Sequence, residues 1–406
     1  MPEKRARRKP GEGGAYAYKT SKGIRYYYKC TVAKLDGTKE PIVRRGFLTE
    51  TAALKAMREA LVKSDRQEWI DPSKQPLGGY LDEWADGLRL APSTIASYKK
   101  NIRLHIKPAL GTIPLASLTA ARINTLYRKL ETSGRTDHKR GEGLSPRTVR
   151  YVHTILSASL QDAVDSDRLA KNPADRANPP TAKQAKPPEM HPWTARQLKA
   201  FLDWSVQNSH MHTAWHVLAM TGMRRGELLA LRWRDLDLDA GTIRIRRSVG
   251  VVRIAGEGMS VREGDTKTAK PRVVDLDAGT VTLLTACKLE RAGLAPALAR
   301  DDALALGDIE GKHRHPERFS RTFREHLTRC RRDLERAGAE PPPMIRLHDL
   351  RHTHATLLLA KGVPVKVVSE RLGHASPTIT LTVYAHVLPG NQKDAAATFA
   401  NLILDV

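Results

Sequence analysis

The stretch "KNPADRANPPTAKQAKPPEMHPW" limits what this chain can fold into more than any other feature. Its prolines at 173, 179, 180, 187, 188 and 192 fix φ and remove backbone donors, so neither a helix nor a central strand can run through it. Such a segment reads as an extended, semi-rigid linker. It divides the 406 residues into parts that must each bury a core of their own. With 40% apolar residues the chain has the material to do so.

Upstream of the linker two patterns follow one another. Residues 1–14 are charged and glycine-rich and read as a mobile basic arm. The stretch "AYAYKTSKGIRYYYKCTVAKLDGTKEPIVRRGFLT" then reads as three short strands, with Ser-Lys-Gly and Asp-Gly as the turns. "TETAALKAMREALVKSDRQEW" is an amphipathic helix that Thr49 or Thr51 can cap. These elements predict a small β-rich α+β module over residues 15–70. From 76 to 178 the pattern changes to helices alone, in "QPLGGYLDEWADGL", "APSTIASYKKNIRLHIKPALG", "TAARINTLYRKLETSG" and "SPRTVRYVHTILSASLQDAVDSD". Ser, Thr or Pro stands at their starts and Gly at ends, as helix termini require. "SGRTDHKRGEG" between the last two is a loop by composition. Residues 179–193 are the linker proper, and residues 194–406 form the largest unit. That unit is mainly helical, with strands in "GTIRIRRSVGVVRI" and "KPRVVDL" and a glycine-rich loop between them.

Charge narrows the function. Lys and Arg number 68 against 44 Asp and Glu, a net charge of +24. Residues 1–76 hold 18 basic and 9 acidic side chains, and residues 77–180 hold 16 and 10. A polyanion, nucleic acid first, is the partner such a balance favours over a merely solvated basic surface, because each neutralised phosphate releases counterions. Cys30, Cys287 and Cys330 are odd in number and far apart, which gives neither a disulfide framework nor a zinc knuckle. No apolar run has the length of a signal peptide core or a membrane span. The expected setting is a reducing cytoplasm, with no membrane partner. No GxxxxGK[ST] phosphate loop is present, which argues against an ATP-driven motor.

The residues able to do chemistry cluster beyond the linker. In "MTGMRRGELLALRW", Arg224 and Arg225 open an apolar-periodic helix, with Glu227 in its first turn. A guanidinium there can present its planar fork to a phosphate, although a helix-capping ion pair is the commoner role. In "RLHDLRHTHATLLLAKG", His348 and Arg351 share one helical face. His348 and His352 stand at the spacing of a metal pair, but the glutamate of an HExxH motif is missing, so no metal site is expected. "GDTKTAKPRVVDL" places Lys267 in a loop before a strand, where it can act as a general acid or be an ordinary surface lysine. "RLGHASPTITLTVYAHVLPG" carries His374 and Tyr384 on a weakly polar segment that reads as lightly anchored. Each piece is weak alone; the order Arg, Lys, His-x-x-Arg, His, Tyr is specific.

That ordered series strongly resembles the tyrosine recombinases, in particular the integrases of bacteriophage type, over about residues 190–390. The fold the resemblance implies has three parts: an arm-type DNA-binding module, an all-α core-binding domain, and a mainly α catalytic domain with a small antiparallel sheet. The activity implied is site-specific strand transfer through a 3′-phosphotyrosine, integrating a phage or other mobile element into a chromosome without metal, ATP or other cofactor. Carried onto this chain, Arg224 and Arg351 hold the non-bridging oxygens of the scissile phosphate, and Lys267 protonates the leaving 5′-oxygen. His348 assists proton transfer at the tyrosine, His374 hydrogen-bonds the phosphate, Tyr384 attacks phosphorus, and Glu227 supports Arg224. Arg225 falls at a variable position of the motif, and Lys270 is a rival for the role of Lys267.

The implied partners are double-stranded DNA at core and arm attachment sites, three further copies of the chain in a tetramer on DNA, a DNA-bending host factor and an excisionase. The implied location is the cytoplasm, on the nucleoid. "KDAAATFANLIL" at the C-terminus can dock on a neighbouring protomer or on its own domain. Two competing readings keep the fold. One is a chromosome-dimer resolvase or a strand transferase of the type IB topoisomerase kind; the other is a DNA-binding module without catalysis. The β-rich N-terminal module disfavours a minimal two-domain resolvase, and the complete set of reactive residues disfavours a module that only binds.

Overall fold

The structure is a computed structural model that describes residues 13–21, 23–33, 38–65, 75–137, 141–186, 190–254, 258–266 and 271–384, with 396, 399–401 and 403. Lys267 and Lys270, most of the basic arm and more than half of "KDAAATFANLIL" lie outside the described residues. The chain forms two compact units, Met1–Pro187 and Pro188–Val406.

The first unit contains two separate hydrophobic clusters. Strands β1 (Gly14–Thr20), β2 (Gly23–Ala33) and β3 (Lys39–Phe47) form an antiparallel meander in the order β1-β2-β3. Alternation along β2 sends Tyr28, Cys30 and Val32 inward, where Ile42 of β3 and Met57 and Ala60 of helix α1 (Glu50–Asp65) complete the cluster. Thr49 caps α1, its hydroxyl accepting from the Ala52 amide at 3.1 Å. The opposite face presents Tyr16 and Tyr27, paired across the strands, and the Arg45 guanidinium lies over the rings of Tyr18 and Tyr27 at 5.8 and 5.6 Å.

The second cluster is purely helical. It is built by α2 (Leu77–Gly87), α3 (Pro92–Asn101), α4 (Lys107–Leu110), α5 (Ala120–Ser133) and α6 (Pro146–Asp165). A π-helical turn, Ile102–Ile106, joins α3 to α4. Side-chain caps open α5 and α6 where their sequences begin with Thr119 and Ser145. Ile102, Ile106, Ile123, Val149, Val152 and Leu156 fill the centre.

The second unit begins with α7 (Ala195–Asn208), α8 (His212–Thr221) and the short α9 (Arg225–Leu229). Strands β4 (Leu236–Asp237), β5 (Thr242–Ile245) and β8 (Arg272–Asp275) form one antiparallel sheet, and β6 (Arg247–Ile254) pairs with β7 (Gly258–Asp265) in a hairpin. The stretch between β6 and β8, expected as a glycine-rich loop, therefore contains a full strand. Its glycines bound the run rather than interrupt it, and cross-strand pairing with β6 recruits residues whose own composition is too polar to announce a strand. Helices α10 (Ala278–Leu294), α11 (Pro316–Arg336), α12 (Asp349–Ala360), α13 (Val365–Leu372) and α14 (Pro377–Tyr384) follow. The main core packs Trp193, Phe201, Trp215, Phe319 and Phe323 between α7, α8 and α11. A smaller cluster of Ala355, Leu359, Val368, Leu372 and Tyr384 holds α12, α13 and α14 together. No helix among the described residues is long and apolar enough to cross a membrane.

Candidate active site

The site is assembled where α8, α9, β8, α12 and the α13–α14 turn converge, and a left-handed glycine sets the first corner. Helix α8 ends at Gly222 with φ 64°. A Cβ there would lie 2.7 Å from Leu372 Cδ2 and 2.8 Å from His354 Cδ2. Gly222→Ala is accordingly expected to destabilise the second unit by about 2 kcal/mol or more, from left-handed strain plus overpacking. Urea melts check this, and a wild-type midpoint would contradict it.

The corner delivers Arg224 as the N-cap of α9, with Glu227 in the first turn. The Glu227 carboxylate is buried and accepts from the Arg224 amide and Nη1, each at 2.8 Å. It also accepts two bonds from Arg272 of β8, Nη1 at 3.0 Å and Nη2 at 2.6 Å. Burial pushes the Glu227 carboxyl up, but the hydrogen bonds and charge of Arg272, then of Arg224, outweigh it and hold the group below the usual carboxylate range. Arg272 Nε donates to the Arg371 carbonyl and Arg224 Nη2 to the Gly373 carbonyl, at 3.0 and 3.1 Å. The two arginines thus tie the α9 corner to the turn that carries His374. Arg225 points elsewhere: its Nη1 donates to the Pro316 carbonyl and the Ser320 hydroxyl of α11.

Arg351 rises from α12 into the same space and is 3% exposed. Nη1 donates to the Gly222 carbonyl at 2.8 Å, while the buried Nη2 has no hydrogen-bond partner among the described residues. Burial, then the charge of Arg224, press its pKa down to about 9. Three guanidinium groups against one carboxylate leave this pocket with an excess of positive charge, suited to an anion.

The histidines surround it. His348 precedes α12 and is pressed down to about 4 by burial, then by His352 and Arg351. His374 follows Gly373, whose φ of 66° ends α13, and its Nδ1 lies 2.7 Å from the Thr380 hydroxyl of α14. Burial and the charges of Arg351, Arg224 and Arg272 push His374 down to about 4 as well. Both imidazoles are therefore neutral near pH 7, with lone pairs or N–H groups to offer rather than charge. His354, one turn beyond Arg351, is structural: Nδ1 meets the Ala219 carbonyl at 2.9 Å and Nε2 accepts from Arg371 Nε at 3.1 Å.

Tyr384 ends α14 and is 2% exposed. Its hydroxyl lies 2.6 Å from His352 Nδ1, and the His352 ring in turn meets that of His348 edge-on at a centroid distance of 5.1 Å. Burial pushes the phenol up to about 12, and Arg351 opposes the shift. Helix α14 buries only Thr380 and Tyr384, and each is held by a histidine.

Of the residues singled out from sequence, Arg224, Glu227, His348, Arg351, His374 and Tyr384 come together here, and Lys267 lies outside the described residues. Three participants were missed. Arg272 closes the "TKTAKPR" run but contacts Glu227 across 45 positions. From sequence His352 stands only as a candidate metal partner of His348, and Thr380 is one of three threonines in its segment.

Comparison with known proteins shows the family. The profile of the phage integrase family matches residues 191–390, and that of the phage integrase N-terminal SAM-like domain matches residues 77–130. A tyrosine recombinase XerC-like protein of Caldanaerobacter subterraneus subsp. tengcongensis is 27% identical over 93% of this chain and 97% of its own length. The ICEBs1 integrase of Bacillus subtilis is 28% identical over 77% of this chain and 78% of its own. Among solved structures, a Tn1549 transposon integrase bound to transposon right end DNA superposes with a TM-score of 0.63 at 21% identity, covering 81% of this chain and 99% of that one. A lambda integrase tetramer bound to a Holliday junction gives 0.52 at 17% identity, covering 93% and 96%. With family profiles matching residues 77–130 and 191–390, and the arginines, histidines and tyrosine gathered in one buried pocket, the chain belongs to the phage integrase family of tyrosine recombinases.

Proposed function

We propose that this protein is a site-specific integrase that cuts and rejoins DNA through a 3′-phosphotyrosine at Tyr384, inserting a mobile element into a chromosome. The observation that carries the reading is the burial of the Tyr384 hydroxyl beside a cationic pocket formed by Arg224 and Arg351. A phosphodiester resists attack because its oxygens repel nucleophiles, so preorganised cations are the main requirement. Arg224 and Arg351 would hold the non-bridging oxygens, with Glu227 and Arg272 fixing the first of them. In the tautomer where His374 Nδ1 accepts from Thr380, its Nε2–H is left to donate to the phosphate. Lys267 would protonate the leaving 5′-oxygen. The covalent phosphotyrosine conserves the phosphodiester's free energy, so resealing to a new 5′-hydroxyl needs neither ATP nor a metal ion.

The other parts of the chain fit the same task. Residues 15–70 would bind arm sites through the tyrosine- and arginine-bearing sheet face, residues 76–178 would hold the core site, and residues 194–406 would carry out the chemistry. Four copies assembled on paired sites, aided by a DNA-bending protein and an excisionase, would complete the reaction on the nucleoid in the cytoplasm.

The test uses the purified chain and nicked duplexes made from the DNA flanking its gene. A covalent adduct that survives denaturant is expected, with proteolysis leaving the nucleotide on the peptide that contains Tyr384. An adduct on any other residue, or none on any flanking duplex, would overturn the proposal.

A further inference from the structure

Two histidines lie one helical turn apart at the start of α12, and the structure gives them different neighbours. His348 faces Arg351 and Arg224, the charges that press on it. His352 faces the tyrosine, with its Nδ1 2.6 Å from the Tyr384 hydroxyl. From the sequence alone His348 was the residue expected to move the tyrosine's proton, because it stands three residues before Arg351 in the family's motif. The observed contact belongs to its neighbour one turn on.

We infer that His352 is a catalytic residue, the group that accepts the Tyr384 proton as the phenol oxygen attacks phosphorus. The inference rests on the phosphotyrosine reading above. In the forward step the Oη–H bond breaks, its proton passes to His352 Nδ1, the Oη–P bond forms, and the P–O5′ bond breaks. The leaving 5′-oxygen takes a proton from a separate donor, Lys267 in the proposed scheme. On resealing, the 5′-hydroxyl returns its proton to that donor as its oxygen attacks phosphorus, the Oη–P bond breaks, and His352 returns its proton to the departing phenolate oxygen. Both protons and both bonds balance without any further reactant.

Three observations support the assignment. The phenol cannot ionise unaided: with its pKa raised to about 12, only on the order of 10⁻⁴ to 10⁻⁵ of it is phenolate near neutral pH. His352 is neutral at rest, because burial first, and Arg351 and Arg346 with it, lower its pKa against the opposing pull of Asp349. A neutral imidazole has the lone pair the proton needs, and an arriving phosphate adds negative charge that favours the imidazolium it becomes. The other titratable groups facing it are His348 on α12, Tyr384 on α14 and His374 in the turn before α14. The edge-on contact with His348 and the Tyr384 ring at 5.7 Å fix the imidazole on both sides, so the acceptor is held in line before DNA arrives.

Single-turnover cleavage of a nicked duplex, followed as covalent adduct from pH 5 to 9, tests this. The wild-type rate is expected to rise along an acid limb as His352 loses its proton. His352→Gln and His352→Ala are expected to be slower by about 10² or more and to lose that limb, with added imidazole partly restoring the alanine variant. His348→Gln is expected to be slow yet to keep the limb, which separates the two histidines. Thermal melts check that each variant is folded. Should neither His352 variant fold, a wild-type profile with no acid limb would itself overturn the inference. So would a folded His352→Gln within about threefold of wild type, or one that is slow but retains the limb. Tyr384→Phe must give no adduct. Wild-type protein that gives none at Tyr384 would mean that the phosphotyrosine reading, not the role of His352, has failed.

Discussion

Arg351→Met is expected to abolish strand cleavage while leaving the fold as stable as wild type or more so. The two effects have one origin. Arg351 is a buried cation that, among the described residues, has a hydrogen bond from Nη1 to the Gly222 carbonyl, no partner for Nη2, and other guanidinium groups for neighbours. An arrangement of this kind costs the resting protein free energy, as the depressed pKa of about 9 records. In the proposed reaction its compensation would come when a phosphate enters and takes up the fork. Methionine has a similar length and no charge, and replacing a buried ion with a packed apolar side chain is commonly neutral or stabilising by about 1–4 kcal/mol. The Gly222 carbonyl loses a donor, a loss of about 1 kcal/mol that works against this gain. Cleavage has no such substitute: removing one preorganised donor to a developing oxyanion costs about 10²–10³, and here a bidentate cation goes, so a loss above about 10³ is expected. Arg351→Lys keeps the charge but not the fork and should fall between. Single-turnover cleavage and thermal melts measure both sides. A rate loss under about tenfold, or a melting temperature lowered by more than about 5 °C, would contradict the account.

How much of this was legible in the sequence depends on the range of the interaction concerned. Helix starts at Thr49, Thr119 and Ser145 were readable because a cap bonds to an amide only three residues away. The pairing of Arg224 with Glu227 was readable for the same reason. Strand β7 was not, because its partner β6, not its own composition, makes it a strand. Arg272, His352 and Thr380 escaped notice because what distinguishes each is a partner brought by the fold: Glu227 across 45 positions, Tyr384 across 32, and His374 on the far side of a turn. The ordered motif located the pocket. It could not say which of two histidines touches Tyr384, since that depends on how α14 packs against α12.

Glu227→Ala should have the opposite sign to Arg351→Met, destabilising the protein by about 3–5 kcal/mol. Among the described residues this carboxylate is the one anion bonded to these cations, and it receives bonds from Arg224 through backbone and side chain and from both Nη atoms of Arg272. Removing it leaves Arg272, whose side chain is 9% exposed, as an uncompensated buried charge, the situation in which breaking an ion pair costs most. Against a total stability of about 5–15 kcal/mol, that is enough to leave part of the protein unfolded at 37 °C. Cleavage should fall as well, because Arg224 loses the group that aims it. Glu227→Gln separates shape from charge, and pH separates it further. The folded pKa of Glu227 lies below its ordinary value of 4.5, so its contribution is fully present above that value and is lost as pH falls through the folded one. The deficit of Glu227→Gln relative to wild type should therefore be constant from neutrality down to about 4.5 and narrow below it. Urea melts at a series of pH values read this directly. A Glu227→Ala variant within about 1 kcal/mol of wild type would show that Arg272 finds another partner, and a deficit that persists into acid would show that the missing interaction is not one of charge.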